Sequence, residues 1–532
     1  MTPPRATVAL LLLPALVRAG ESVDLEMMTR LRDEGFNRSQ VMETAATLTD
    51  VIGPRLTGSP AQRRASEWAR QKLSEWGLSN ARLETWGTFG RGWSFERAVV
   101  SLEAPEKAPL LALPKGWTPG TNGQKRGRAV KASLESEADR EKWKGQLRGA
   151  VLLMAEPREL KTRPKEVRRY SEAQLEELEQ FPVPEKRSER AREEARKRHE
   201  TARLLNRWLA DEGVLAVVEP SQRDGGTLRV MGGAGGTRFS GAPVGVPTLV
   251  MAATQYNRIL RLLDAKTEVE LAVEVAASFH DEDPTAANTL AEIPGHDPKG
   301  ELVMLGAHLD SWHTGTGATD NAAGVSVAME AVRILKAVGA RPRRTIRIAL
   351  WTGEEQGLLG SRAYVARYFA SRPESPDEAE RELPSFLRKE QWPLTVKPEH
   401  AKLAAYFNLD NGTGRIRGIY LQENAAVAPV FEAWFKPFAD LGAGALTMRN
   451  TGSTDHVPFD RAGLPGFQFI QDEVDYRATT DFEVFGTHHT NMDTYDRLQR
   501  EELMQASVIM AAFAWNAANR EALLPRKPLP KP

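Results

Sequence analysis

The chain has 532 residues, with 71 Lys+Arg against 71 Asp+Glu. It is too long for a single hydrophobic core, and it carries no net field that would draw nucleic acid or an anionic membrane. Hydrophobic residues make up 41% and charged residues 27%, a globular balance, and there is no cysteine. Disulfides, thiolate nucleophiles and thiolate metal ligands are therefore excluded, and any metal centre must be built from His, Asp and Glu.

In chain order, Arg5 precedes the apolar stretch "ATVALLLLPALV", and Val17-Arg18-Ala19 offers a cleavage site after Ala19. Residues 1–19 read as a signal peptide and the protein as exported. A membrane anchor or a buried helix is the competing reading, but a run of about 12 apolar residues is short for a bilayer span. No later segment is apolar enough to span a membrane. Residues 20–91 read as amphipathic helices, broken by "GPRLTGSP" (53–60) and resumed in "AQRRASEWARQKLSEWG" up to Gly77. From 92 to 284 short apolar runs such as "GAVLLMA" (149–155), "GVLAVVEP" (213–220) and "GVPTLVM" (245–251) suit strands of a β-rich insert. Within it, "EKRSERAREEARKRHE" (185–200) alternates charge sign and predicts a solvated helical excursion. Residues 285–518 alternate strand and helix patterns. "GELVMLGAHLD" is followed by "AAGVSVAMEAVRILKAVG", and "RRTIRIALWTGEE" by "LLGSRAYVARYFA". This rhythm predicts an α/β fold with a mostly parallel twisted sheet flanked by helices. The Pro- and charge-rich stretch 371–398 reads as a surface insertion, and 519–532 as an extended, poorly ordered tail.

Ligands of open α/β sheets gather beyond the C-terminal ends of parallel strands, and here acids and histidines recur at those positions. The first strand ends at His308-Leu309-Asp310, after which a glycine-rich loop delivers Asp320. The next ends at Glu354-Glu355, a third at Asp410, and the last is followed by "GTHHTNMDTYD" with His488, His489 and Asp493. Alone, each has a plain explanation: a turn pair, a helix start favoured by the dipole, an N-cap. Together they make an all-oxygen and imidazole donor set too large for one tetrahedral ion with an open position, and suited to two ions sharing a carboxylate.

The series His308-x-Asp310, Asp320-Asn321, Glu354-Glu355, Asp410 and His489-Thr-x-x-Asp493 resembles the di-zinc exopeptidase family that includes the bacterial leucyl aminopeptidases, glutamate carboxypeptidase and carboxypeptidase Q. "DVIGPRLTGSP", "HLDSW", "WTGEEQG" and "GLPG" are similar to the carboxypeptidase Q branch. The resemblance implies two Zn2+ per chain. Asp320 would bridge them, His308 and Asp410 complete one ion, and Glu355 and His489 the other. Glu354 would be the general base, and Asp310 would hold the His308 ring, as Asp493 would that of His489. His488 competes with His489, but His489 has the register with Thr490 and Asp493. The insert is similar to a protease-associated domain, and the Asp320–Asn321 peptide is expected to be cis. His456 and Arg477 are candidate substrate-binding groups, and His313 is expected to be solvent-exposed. Implied substrates are peptides or dipeptides, with aminopeptidase action first and carboxypeptidase or dipeptidase action as the alternative. A catalytically inactive binding protein of the same fold is the reading from another class. No nucleic-acid partner is expected; a homodimer is allowed.

Overall fold

The structure, a computed structural model, describes residues 21–159, 169–181, 189–232, 237–239, 241, 244–377, 380–381, 388–476 and 486–532. Residues 1–19, expected to be a signal peptide, and Arg477 lie outside the described residues.

Apolar runs with no polar alternation form strands covered on both faces. Leu302–His308 and Leu403–Asn408 are buried at every position. They lie in an eight-stranded sheet whose order is Ser79–Thr88, Thr285–Ile293, Thr345–Trp351, Leu302–His308, Leu403–Asn408, Gly466–Gln471, Ile416–Tyr420 and Ala445–Thr447. The central pairings are parallel, with His308 opposite Trp351 and Gly306 opposite Asn408. Towards one edge Thr285–Ile293 and Ser79–Thr88 pair antiparallel, and towards the other Gly466–Gln471 pairs antiparallel with Ile416–Tyr420. The sheet is thus mixed, and parallel where the site residues emerge. Ser79–Thr88 belongs to a stretch expected to be helical; beyond Gly77 its side chains alternate in exposure along an edge strand.

The helix Ala323–Ala337 is apolar nearly all round and is buried almost throughout between the sheet and the helix Arg500–Asn519. Its two interior charges are matched: Arg333 binds Glu330 at 2.7 Å and Glu34 at 2.8 Å. On the other face, the helices Leu359–Tyr368 and His456–Arg461 pack Tyr364, Val365 and Phe459 against Trp351 and Tyr406.

A second eight-stranded sheet lies within residues 92–280, built around the long antiparallel ribbon of Gly92–Ala104 and Glu270–His280, with its own core. The charged run belongs to a longer helix, Glu189–Asp211, from which Arg196 reaches Glu380 at 3.0 Å. The C-terminal tail is extended but docked. Arg526 donates to the carbonyls of His400 and Leu403, Lys527 to that of Gln422, and Leu524 is buried.

Candidate metal centre

Three neighbouring parallel strands and the loops after them deliver the donors. His308 is the last residue of its strand; the next chain segment leaves Trp351 through Gly353 to reach Glu354 and Glu355; Asp410 follows Asn408. All but His489 are nearly closed to solvent as residues or side chains, and His489 keeps 14% of its side chain accessible.

Asp320 sits between two imidazoles. Its Oδ1 is 3.2 Å from His308 Nε2, and its Oδ2 is 3.2 Å from His489 Nε2. His308 Nε2 is also 3.3 Å from Asp410 Oδ1, and His489 Nε2 is 3.0 Å from Glu355 Oε2. His488 Nε2 stands farther from Asp320, at 3.8 Å, so His489 is the better placed of the two histidines. The Asp320–Asn321 peptide is cis.

The residues fit a divalent cation. Asp320 Oδ2 and Glu355 Oε1 are buried without a hydrogen-bond partner, a costly state unless something positive faces them. Ligand atoms of His308, Asp320 and Glu355 lie within 4.8 Å of one another, as do those of Asp320, His488 and His489. The electrostatics agree. Burial pushes the Glu354 carboxyl well above the carboxylate range, with Asp410 and Glu355 adding to it against His308. Burial lifts Glu355 and Asp493 each to about 7. Burial works against a charged His489, but Glu355 and Asp320 outweigh it and hold the ring at about 10. Carboxylates crowded out of water in this way await positive charge.

Around the donors the structure corrects several expectations. The His308 ring is held by the backbone of Asp310: Nδ1 donates to its carbonyl at 3.0 Å, while the carboxylate is 3.8 Å away. That carboxylate, fully buried, accepts from Thr57 Oγ1 at 2.8 Å and from the backbone N–H groups of Glu354 and Glu355 at 3.3 Å each. Two residues past a strand end, the chain has turned enough to offer its carbonyl rather than its side chain to the ring. Asp493 likewise misses His489 and accepts from Thr319 N, Thr319 Oγ1 and Asp320 N, which anchors Asp320. His456 is fully buried, its Nε2 donating to the Thr451 carbonyl, and burial lowers it to about 4; a neutral, enclosed ring offers no cation to a substrate carboxylate. His313, expected at the surface, is buried. Its Nε2 donates to the Pro114 carbonyl at 2.7 Å and its ring meets Trp93 edge-on.

Three contributions were missed. Arg55, from the "GPRLTGSP" break, is fully buried and donates to the carbonyls of Leu48, Gly53, Leu309, Thr316 and Gly317. It ties the two loops that carry Asp310 and Asp320, and burial draws its guanidinium down to about 10 despite Asp493 and Asp310 nearby. Gly317 makes this approach feasible: its φ is +62°, and a Cβ there would meet Ser311 Cβ at 2.4 Å and Arg55 Nη2 at 2.9 Å. The second sheet's unit also reaches the site. Val230 N donates to the His489 carbonyl at 3.1 Å, Asn491 N to that of Leu228 at 3.1 Å, and Met231 Sδ lies 3.2 Å from His489 Nδ1. Finally, Trp312 faces the His489 ring at 6.1 Å and Trp117 at 6.1 Å, joining an aromatic seam between the two sheets. The motif "GPRLTGSP" and the tryptophan content were the available signals; their targets are remote in sequence.

Residues 288–514 match Peptidase family M28. The chain is 26% identical over 495 residues to carboxypeptidase Q of Bos taurus, covering 92% of this chain and 88% of that one. Among solved structures, a peptidase M28 precursor from Shewanella amazonensis SB2B superposes with a TM-score of 0.64 at 24% identity, over 95% of this chain and 99% of that one. BSAP, a zinc aminopeptidase from Bacillus subtilis, superposes with a TM-score of 0.54 at 20% identity, over 91% and 95%. The family match thus lies on the segment that carries every candidate donor, and it is this segment that is similar to Peptidase family M28.

Proposed function

We propose that the protein is a zinc exopeptidase that hydrolyses the terminal bond of peptides or the single bond of dipeptides, with two Zn2+ per chain. The observation that carries this reading is the placement of Asp320, whose two carboxylate oxygens each face a different imidazole at 3.2 Å. A carboxylate placed in this way would suit two ions, with His308 and Asp410 as the further residues that would hold one and Glu355 and His489 those that would hold the other. When bound, zinc polarises the scissile carbonyl and lowers the pKa of water. Glu354 is the proton carrier: its carboxylate takes the proton of the attacking water and returns it to the leaving amine. Asp310 is a positioning residue, because its carboxylate holds the backbone of both glutamates. Thr314 and Trp312 line a narrow space beside Asp320, Glu355 and His489, which favours a short chain end over a long bound peptide. The insert is proposed as a protease-associated domain spanning 92–284, and it contributes the cover over His489.

Aminopeptidase action is the first reading. The likeness to carboxypeptidase Q over 92% of the chain favours carboxypeptidase or dipeptidase action as the second. Product analysis on one peptide with both ends free, then with each end blocked, decides between them. Cleavage that survives C-terminal but not N-terminal blocking is expected, and the opposite pattern replaces the first reading with the second. Turnover of no free peptide would defeat both and leave a binding protein of the same fold.

Export is part of the proposal. The mature protein is expected to begin near Gly20 and to be recovered outside the cytoplasm. N-terminal sequencing that finds intact chains starting at Met1, in the cytoplasmic fraction alone, would refute it.

A further inference from the structure

The inserted unit holds both the backbone and the ring of His489. Residues 228–230 run antiparallel beside 489–491. Val230 N donates to the His489 carbonyl at 3.1 Å and Asn491 N to that of Leu228 at 3.1 Å, with Arg229 and Thr490 paired between them. Asn491 closes the end of this short ribbon, its Oδ1 accepting from Leu228 N at 2.7 Å. His489 has a φ of +60°, a left-handed conformation that a side chain disfavours and that persists where neighbours enforce it. The ribbon supplies that enforcement, since it fixes the carbonyl of His489 and the N–H two residues on.

Met231 continues the same segment and turns its sulfur to the ring, 3.2 Å from His489 Nδ1. Its own place is set within the insert. The Met231 carbonyl accepts from Gly116 N at 3.2 Å, and beside it Gly232 lies so close to Trp117 that a Cβ would meet the indole at 2.8 Å. A thioether accepts a hydrogen bond and has none to donate, so Nδ1 carries the hydrogen in this pair. The lone pair is left to Nε2, the atom that faces Asp320 and Glu355. Imidazoles that hold a metal commonly donate their other N–H to a carboxylate, a carbonyl or water, and that partner fixes the tautomer and the ring plane. The carboxylate expected in this place, that of Asp493, is taken by Thr319 and Asp320.

We propose that Met231 is a positioning residue for His489, fixing its ring with Nε2 towards the metal, so that the insert sets how tightly that side of the centre holds zinc. The inference rests on the reading of His489 as a zinc-holding residue.

The zinc affinity of the full chain is measured by competition with a chromophoric chelator for the wild type, Met231→Leu, Met231→Gln and His489→Ala. Leucine keeps the apolar bulk of methionine without an acceptor, whereas glutamine keeps its length and supplies a carbonyl oxygen. Met231→Leu is expected to weaken zinc binding by about tenfold, the usual weight of a partner to a ligand imidazole. Met231→Gln should bind zinc more tightly than Met231→Leu. Thermal denaturation of the zinc-free forms should leave Met231→Leu close to wild type, because the exchange conserves volume. Wild-type zinc affinity in Met231→Leu overturns the proposal. So does a Met231→Gln protein that binds zinc no better than Met231→Leu, since Met231 would then be packing alone. His489→Ala separates this inference from the reading beneath it. Loss of one zinc there, with Met231→Leu at wild-type affinity, refutes only the role of Met231. Full zinc retention in His489→Ala refutes the reading of His489 and the proposal with it.

Discussion

Glu354→Gln is expected to keep zinc near the wild-type content while kcat falls by on the order of 10²–10⁴, the usual weight of general acid–base catalysis. Glutamine preserves the shape of the side chain but cannot accept the proton. Glu354 makes no ion pair with either imidazole, whereas the neighbouring Glu355 places Oε2 3.0 Å from His489. Consecutive residues leaving a strand point in different directions, and both backbones are held by one carboxylate, that of Asp310. Glu355→Gln should therefore fail differently, losing zinc affinity, with activity partly restored by excess metal. Elemental analysis and steady-state kinetics on the two variants side by side check this, against a wild type expected to carry about two ions. Zinc lost from Glu354→Gln and retained, with activity, in Glu355→Gln would reverse the assignment. One ion or none in the zinc-saturated wild type would defeat the shared-carboxylate reading.

The second large effect is expected far from the scissile bond. Arg55→Ala should destabilise the catalytic region by about 4 kcal/mol or more, at the upper end for single substitutions, because it strands several buried carbonyls at once. The five acceptors belong to three separate segments, 48–53, Leu309 and 316–317. No neighbouring donor can replace a planar fork that reaches all of them. Arg55→Lys keeps the charge but has three donors for five carbonyls, and should recover only part of the stability. Urea denaturation followed by tryptophan fluorescence measures the loss. Zinc content should fall with it, since the 316–317 segment leads into Asp320. An Arg55→Ala protein as stable as wild type would show that water replaces the guanidinium, and that the loops hold themselves.

The chemistry was legible because its donors sit at strand ends. An apolar run marks where a buried strand stops, and parallel neighbours stop at the same edge, so His308, Glu354, Glu355 and Asp410 could be placed together from patterning. The glycine-rich loop was equally readable, since Gly315 and Gly317 flank the path to Asp320 where other residues would clash. The resemblance then supplied roles that spacing alone could not.

What patterning could not supply was the partner of each side chain. The expectation that Asp310 would orient His308 and Asp493 would orient His489 followed from residue type, yet both carboxylates turned to backbone N–H groups. His313 and His456 are polar residues in loop-like or helix-start sequence, and only packing from remote segments encloses them. The antiparallel edge strands, the docked tail and the insert's contact with His489 all join segments remote in sequence. The sequence by itself determined the parallel heart of the sheet and the candidate donors at its edge, all oxygen or imidazole, because these follow from local hydrophobic period and residue chemistry. Only the tertiary structure decided which carboxylates act as braces, and that Arg55 and the second sheet reach the candidate site. Those outcomes depend on distances between segments whose closeness no local pattern encodes.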